Sequence, residues 1–208
     1  MNPCAFRNPV IVVGSPILGG ALALAGAAPG AAGAPPDVPP PPPFVLSACE
    51  NGAKWEGGET DAEVRKTGEA SIRWEHGASS QLSLRDPATD WSAYNTLTLW
   101  MHSTTATGSS FILYVGSENP NTEGIDYYSF RFTLDFTGWR EYAIPFRAMG
   151  AARSPLGWDQ IDSVRFTASG WGNEPHPEAV VHIDRMVLSW QPPPTGPRLS
   201  DEAFFSAL

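Results

Sequence analysis

Tyr127-Tyr128-Ser129-Phe130-Arg131-Phe132-Thr133-Leu134 carries the deciding pattern, with apolar or aromatic residues at 128, 130, 132 and 134 and polar ones at 129, 131 and 133. A period of two describes a strand with one face on a core and the other toward solvent. Upstream, Leu97, Leu99 and Met101 alternate with Thr98, Trp100 and His102. Phe111, Leu113 and Val115 likewise alternate with Ile112 and Tyr114, so both faces of these strands carry bulk. Residues 71–74 and 81–84 read as a hairpin pair around Gly77, and downstream 140–144, closed by Pro145, 161–167 and 180–188 supply further strands. No helical period persists between 44 and 190. About eight to ten short strands punctuated by turns predict an all-β, antiparallel β-sandwich or jelly roll.

Composition narrows the possible functions. The 208 residues carry 13 Lys+Arg against 22 Asp+Glu, a formal charge of −9, which opposes a partner bound through phosphates and excludes nucleic acid. Arg7 precedes apolar runs at 10–13 and 17–24 that end in Ala25, Gly26 and Ala27, the pattern of a signal peptide over residues 1–27. Gly14, Pro16, Gly19 and Gly20 break that run, so no membrane span is expected after signal removal, and the protein is expected to be secreted, periplasmic or at the cell surface. Residues 28–43, rich in Pro, Ala and Gly and ending in five prolines, read as an extended linker. The folded domain is expected over 44–190, as a monomer. Residues 191–208 then read as a second linker and the start of a helix capped by Ser200, which opens a following domain or docks back on the sandwich. With Cys4 in the signal, Cys49 stands alone and reads as a small buried hydrophobe.

Four stretches, in this order, resemble the carbohydrate-binding modules of galactose-binding-like jelly-roll fold that accompany glycoside hydrolases and polysaccharide lyases. They are Cys49-Glu50 with Trp55-Glu56-Gly57-Gly58 and Ala70-Ser71-Ile72-Arg73-Trp74; Asp90-Trp91-Ser92-Ala93-Tyr94 leading into Leu97-Thr98-Leu99-Trp100-Met101; Thr137-Gly138-Trp139-Arg140 with Ile144-Pro145-Phe146 and Gly157-Trp158-Asp159-Gln160-Ile161; and Val181-His182-Ile183-Asp184-Arg185-Met186. The resemblance implies a polysaccharide or oligosaccharide ligand. It leaves open a free-standing binding module, the front end of a polysaccharide lyase or glycoside hydrolase, and a protein-interaction sandwich, because relatives of the fold bind proteins. It also implies a structural calcium held by Glu50 on the first strand and Asp184 on the last, with carbonyls near 66–69 completing an oxygen shell. The alternative for Asp184 is an ion pair with Arg73 or Arg185.

No catalytic constellation stands out, so the chain is expected not to be an enzyme. His76, His102, His176 and His182 are scattered singly, and the acid pairs Asp61/Glu63 and Asp159/Asp162 read as solvated turn charges. Aromatics are the more informative class, because an indole or phenol ring offers sugar C–H faces a flat apolar surface. Trp74, Phe111, Phe130, Phe132 and Phe166 fall on core positions, and Trp55, Trp91, Tyr94, Trp139 and Trp158 read as structural aromatics closing the sandwich edges. The binding candidates are Trp171, in the glycine-flanked loop Ser169-Gly170-Trp171-Gly172-Asn173, with Asn173 offering a donor and an acceptor; Tyr127, pointing opposite to Tyr128; and a groove of Trp100, Tyr114, Arg131 and His102 on the second face of neighbouring strands.

Overall fold

The computed structural model describes residues 39–192, and the signal-peptide, Pro-rich linker (28–38) and C-terminal helix readings lie outside that span. Among the described residues, twelve strands form two six-stranded sheets. Sheet A has the order β3(Glu59–Asp61), β4(Ser71–Glu75), β12(Val180–Ser189), β6(Thr96–Ser103), β9(Gly138–Pro145), with β1(Phe44–Ser47) also paired to β12. Sheet B has the order β10(Gly150–Ala152), β8(Tyr127–Thr133), β7(Ser110–Gly116), β11(Ser163–Thr167), β5(Gln81–Leu84), β2(Trp55–Glu56). All pairings are antiparallel. The strands beyond the expected number are two- and three-residue pieces, too short for an alternation to register.

The period-two reading maps directly onto burial. Leu97, Leu99 and Met101 of sheet A and Phe111, Leu113 and Val115 of sheet B are fully buried in one core with Trp74, Phe132 and Phe166. Phe111 stacks on Phe132 at 5.2 Å and meets Trp74 edge-on at 5.3 Å, so the aromatic charge distributions sit in their favourable offset and T-shaped arrangements. Trp91, completely buried, stacks near Trp158 at 6.1 Å and closes one end.

The hairpin expected at 71–84 does not form. β4 pairs with β3 and β12 in sheet A, whereas β5 pairs with β2 and β11 in sheet B, so the turn at Gly77 carries the chain from one sheet to the other. Ile72 and Trp74 face Leu82 and Leu84 across the core. The Trp74 indole N–H fixes the crossing by donating to the Ser79 carbonyl at 2.8 Å. The return crossing, from β2 to β3, turns at Gly57, whose φ of 88° is left-handed and where a Cβ would collide with the Gln81 carbonyl oxygen.

His76 closes the same end of the core. It is 2 % exposed, its ring lies 4.2 Å from Trp74 and 5.4 Å from Phe111, and neither ring nitrogen has a hydrogen-bond partner among the described residues. Burial, helped by His176, pulls its pKa down to about 4 from 6.5. The folded state then binds fewer protons than the unfolded chain between those values, so stability is full above pH 6.5 and falls as the pH drops toward 4. We expect a loss of about 2–3 kcal/mol between pH 7.5 and 4.5 from this residue, at about 1.4 kcal/mol per pKa unit. Urea midpoints at both pH values for the wild type and His76→Leu check it, the variant having the shallower pH dependence.

Candidate functional site

The outer face of sheet B is built by β7, β8 and β11. Register places Tyr114 opposite Ser129 on β8 and Arg165 on β11, Ile112 opposite Arg131, and Gly116 opposite Tyr127. Tyr127 thus points away from Tyr128, which packs toward the core against Trp158 at 3.9 Å. Tyr114 and Tyr127 stack at 4.7 Å, and Trp171 stands edge-on to Tyr127 at 5.7 Å with its indole N–H donating to the Tyr127 hydroxyl at 2.5 Å. The Arg165 guanidinium lies over the other side of Tyr114 at 3.9 Å. Burial, partly offset by Arg165, pushes the Tyr114 phenol up to about 12. The phenol therefore stays protonated and serves as an apolar plate with a hydroxyl at its rim.

Trp171 is 40 % exposed, while Tyr114 and Tyr127 beneath it are 1 % and 9 % exposed. Its φ is 53°, between Gly170 and Gly172 at 77° each, so a bulky residue occupies the left-handed region, which costs about 1–2 kcal/mol. Three contacts hold it there. The Asn173 backbone N–H donates to the Gly170 carbonyl at 2.8 Å, the Asn173 side-chain amide donates to the same carbonyl at 2.9 Å, and Arg131 donates to the Trp171 carbonyl at 2.7 Å. Ser110 and Arg131 donate to the Asn173 Oδ1. Asn173 is therefore buried and its amide is spent on the loop, not offered to a sugar hydroxyl. Tyr114 and Tyr127 support Trp171 from below, and Arg131 clamps the loop.

The expected groove of Trp100, Tyr114, Arg131 and His102 is not formed. β6 and β7 are consecutive in sequence but lie in different sheets, which sets Trp100 and His102 on the outer face of sheet A and Tyr114 and Arg131 on that of sheet B. Trp139 is also corrected. It stands on the outer face of sheet A opposite His102, half-buried and 5.2 Å from that ring, outside the core. Trp55, Trp91, Tyr94 and Trp158 do pack into or against the core.

Glu50 and Asp184 converge on one loop, residues 62–70 between β3 and β4. Asp184 is fully buried and accepts the backbone N–H groups of Lys66 and Thr67 at 2.8 and 2.9 Å and the Thr67 hydroxyl at 2.9 Å. Glu50 accepts the backbone N–H groups of Glu69 at 3.0 Å and Ala70 at 2.8 Å. Neither Arg73 nor Arg185 pairs with Asp184, since Arg73 pairs with Glu59 at 3.0 Å and with Glu75. The donor set does not fit calcium. The loop turns N–H groups toward the carboxylates where a cation requires carbonyl or carboxylate oxygens. Cys49, between the two, is buried with its thiol pushed up to about 12 by burial, which makes it inert.

Residues 60–192, most of the chain, match the sequence model of the family described as "Lyase, N terminal". The chain belongs to the lyase N-terminal family. It is 26 % identical over 133 residues to the chondroitin sulfate ABC exolyase of Proteus vulgaris, a match covering 60 % of this chain and 12 % of that protein. Among solved structures it is similar to the family 11 carbohydrate-binding module of a cellulosomal cellulase of Clostridium thermocellum, with a TM-score of 0.54, 16 % identity and coverage of 74 % of this chain and 98 % of that one. A second structure of a Clostridium thermocellum family 11 module, in complex with a β-1,3-1,4-mixed-linked tetrasaccharide, gives a TM-score of 0.50 at 19 % identity over 71 % and 95 % of the two chains. The two-sheet sandwich is thus the fold of carbohydrate-binding modules. The lyase N-terminal match takes in Trp171, its supports and the 62–70 loop, but begins after β1 and Glu50. Among the described residues, no helix is long and apolar enough to cross a membrane.

Proposed function

We propose that this lyase N-terminal domain is a non-catalytic module that holds a polysaccharide for an exported polysaccharide lyase. The observation that carries the reading is Trp171, held in a strained left-handed conformation with its ring fixed on a tyrosine stack and two-fifths exposed. Strain of this kind persists only where the surroundings over-determine it, and it concentrates at ligand clamps. A ring whose rotamer is already set loses little entropy on binding, which favours a sugar face stacking against it. The oligosaccharide in the related fold and the lyase relative support the class of ligand. Export rests on the apolar run after Arg7.

Trp171→Ala is expected to weaken binding by about 1–3 kcal/mol, roughly five- to 150-fold, the worth of burying a large side chain. Stability should change by less than about 1 kcal/mol, because surface substitutions outside the core act weakly. Isothermal titration with a chondroitin hexasaccharide and a mixed-linked glucan tetrasaccharide, alongside urea unfolding, checks both. Unchanged affinity for every sugar that the wild type binds would remove Trp171 from the site.

A further inference from the structure

The opposite face of the sandwich carries a second set of recognition groups. Strand register aligns Glu59 on β3, Arg73 on β4, His182 on β12, His102 on β6 and Trp139 on β9 as successive neighbours in one row across sheet A. Five strands at about 4.8 Å spacing make that row about 19 Å long. Its one end is the half-buried Trp139 ring, packed edge-on against His102 at 5.2 Å. Its other end is a cleft of about 400 Å³ lined by Gly57, Gly58, Glu59, Arg73, Glu75 and Ser79. In the cleft the Arg73 guanidinium is held between the carboxylates of Glu59 and Glu75.

At the middle of the row His182 is buried and supports its neighbours instead of meeting a ligand. His182 is 1 % exposed and shares its Nε2 with the Asp61 carboxylate at 3.0 Å, and its ring lies 5.4 Å from His102. Burial lowers the pKa of both imidazoles, against the pull of Asp61 on His182, so both are neutral at neutral pH. With Asp61 accepting, the His182 proton sits on Nε2. The 62–70 loop, clasped by Asp184, lies over part of this face and lays Lys66 over Trp100 at 4.3 Å.

From this row we infer that the outer face of sheet A is a second sugar-binding surface, independent of Trp171, for a neutral oligosaccharide. An apolar indole at one end and planar, pre-oriented guanidinium and carboxylate groups at the other match the alternation of C–H faces and vicinal hydroxyls along a sugar chain. The sign of the charge selects against an acidic chain. At the outward positions of strands β3, β4 and β9 the carboxylates of Glu59, Asp61, Glu75 and Glu141 stand against one guanidinium, that of Arg73, which is already neutralised by two of them.

Indole N–H resonances of the ¹⁵N-labelled full chain separate this site from the first. On titration with the mixed-linked glucan tetrasaccharide to millimolar concentration, the Trp139 indole signal is expected to shift saturably in the wild type and equally in Trp171→Ala. Trp139→Ala and Arg73→Gln, with unchanged unfolding midpoints, should each abolish the remaining shifts on sheet A. A Trp139 signal that neither the glucan nor the chondroitin hexasaccharide moves overturns the second surface whether or not the Trp171 signal moves. A still Trp171 signal beside a moving Trp139 overturns only the first. A shift driven by the chondroitin hexasaccharide but not the neutral glucan overturns the assignment of ligand charge.

Discussion

Replacing Asp184 by alanine is expected to destabilise the domain by about 3–5 kcal/mol, while a calcium chelator leaves the melting temperature where it was. The buried carboxylate is the common acceptor for two backbone N–H groups and a hydroxyl of the 62–70 loop. Removing it strands three donors, each costing about 1–3 kcal/mol when left buried without a partner, the sum being reduced where the loop lifts toward water. For a domain of this size the change amounts to about 10 °C in Tm. Asp184→Asn, which keeps one acceptor oxygen, should fall between. An ion bound at one hundred times its dissociation constant would add about 2.7 kcal/mol, so a chelator would produce an obvious downward shift if one were held here. Thermal melts of the wild type with and without EGTA, and of the two variants, decide the matter. A wild-type melt lowered by EGTA would restore the ion, and an Asp184→Ala melt equal to the wild type would dismiss the clasp.

Trp91→Ala and Trp139→Ala form the second comparison, with opposite expectations. Trp91 is completely buried beside the Phe146–Trp158 stack and donates its indole N–H to the Ala88 carbonyl at 2.8 Å. Truncating it opens a large cavity and leaves that carbonyl without its donor, so a loss of about 3–5 kcal/mol is expected. Trp139 is half-buried on an outer face, edge-on to His102 and outside the core, and its truncation should cost less than about 1 kcal/mol. Urea unfolding of both variants tests the pair. Equal losses would place Trp139 back among the structural aromatics.

That pair also shows where reading the chain in one dimension stops. Alternation at 97–101, 111–115 and 128–134 was sufficient to give the sandwich, because each strand buries one face and period two is the signature of that burial. The exposed loop position of Trp171 was legible from its flanking glycines. The hairpin at 71–84 failed because two strands that pair within a sheet and two that face each other across the core write the same pattern. The groove failed for the same reason, since neighbours in sequence on β6 and β7 are not neighbours in a sheet. Trp139 was illegible because Trp-Arg-Glu-Tyr presents bulk on both sides, and only pairing with β6 tells which side is outer. The Asp61–His182–His102 cluster joins groups up to 121 residues apart, and three singly scattered residues carry no spacing to detect. Asn173 was read as a sugar-facing amide, and that reading failed because its partners, Ser110 and Arg131, come from other strands.

The pairing of the first strand with the last has a mechanical consequence. Phe44 lies opposite Leu188 and β1 runs antiparallel to β12, so the chain enters and leaves the sandwich at the same point. A pull applied between the two flanking segments loads the β1–β12 ladder from one end. Its hydrogen bonds then break in succession instead of sharing the load in shear. The four-residue β1 peels first at low force, and β12, locked between β4 and β6, takes the tension only afterwards.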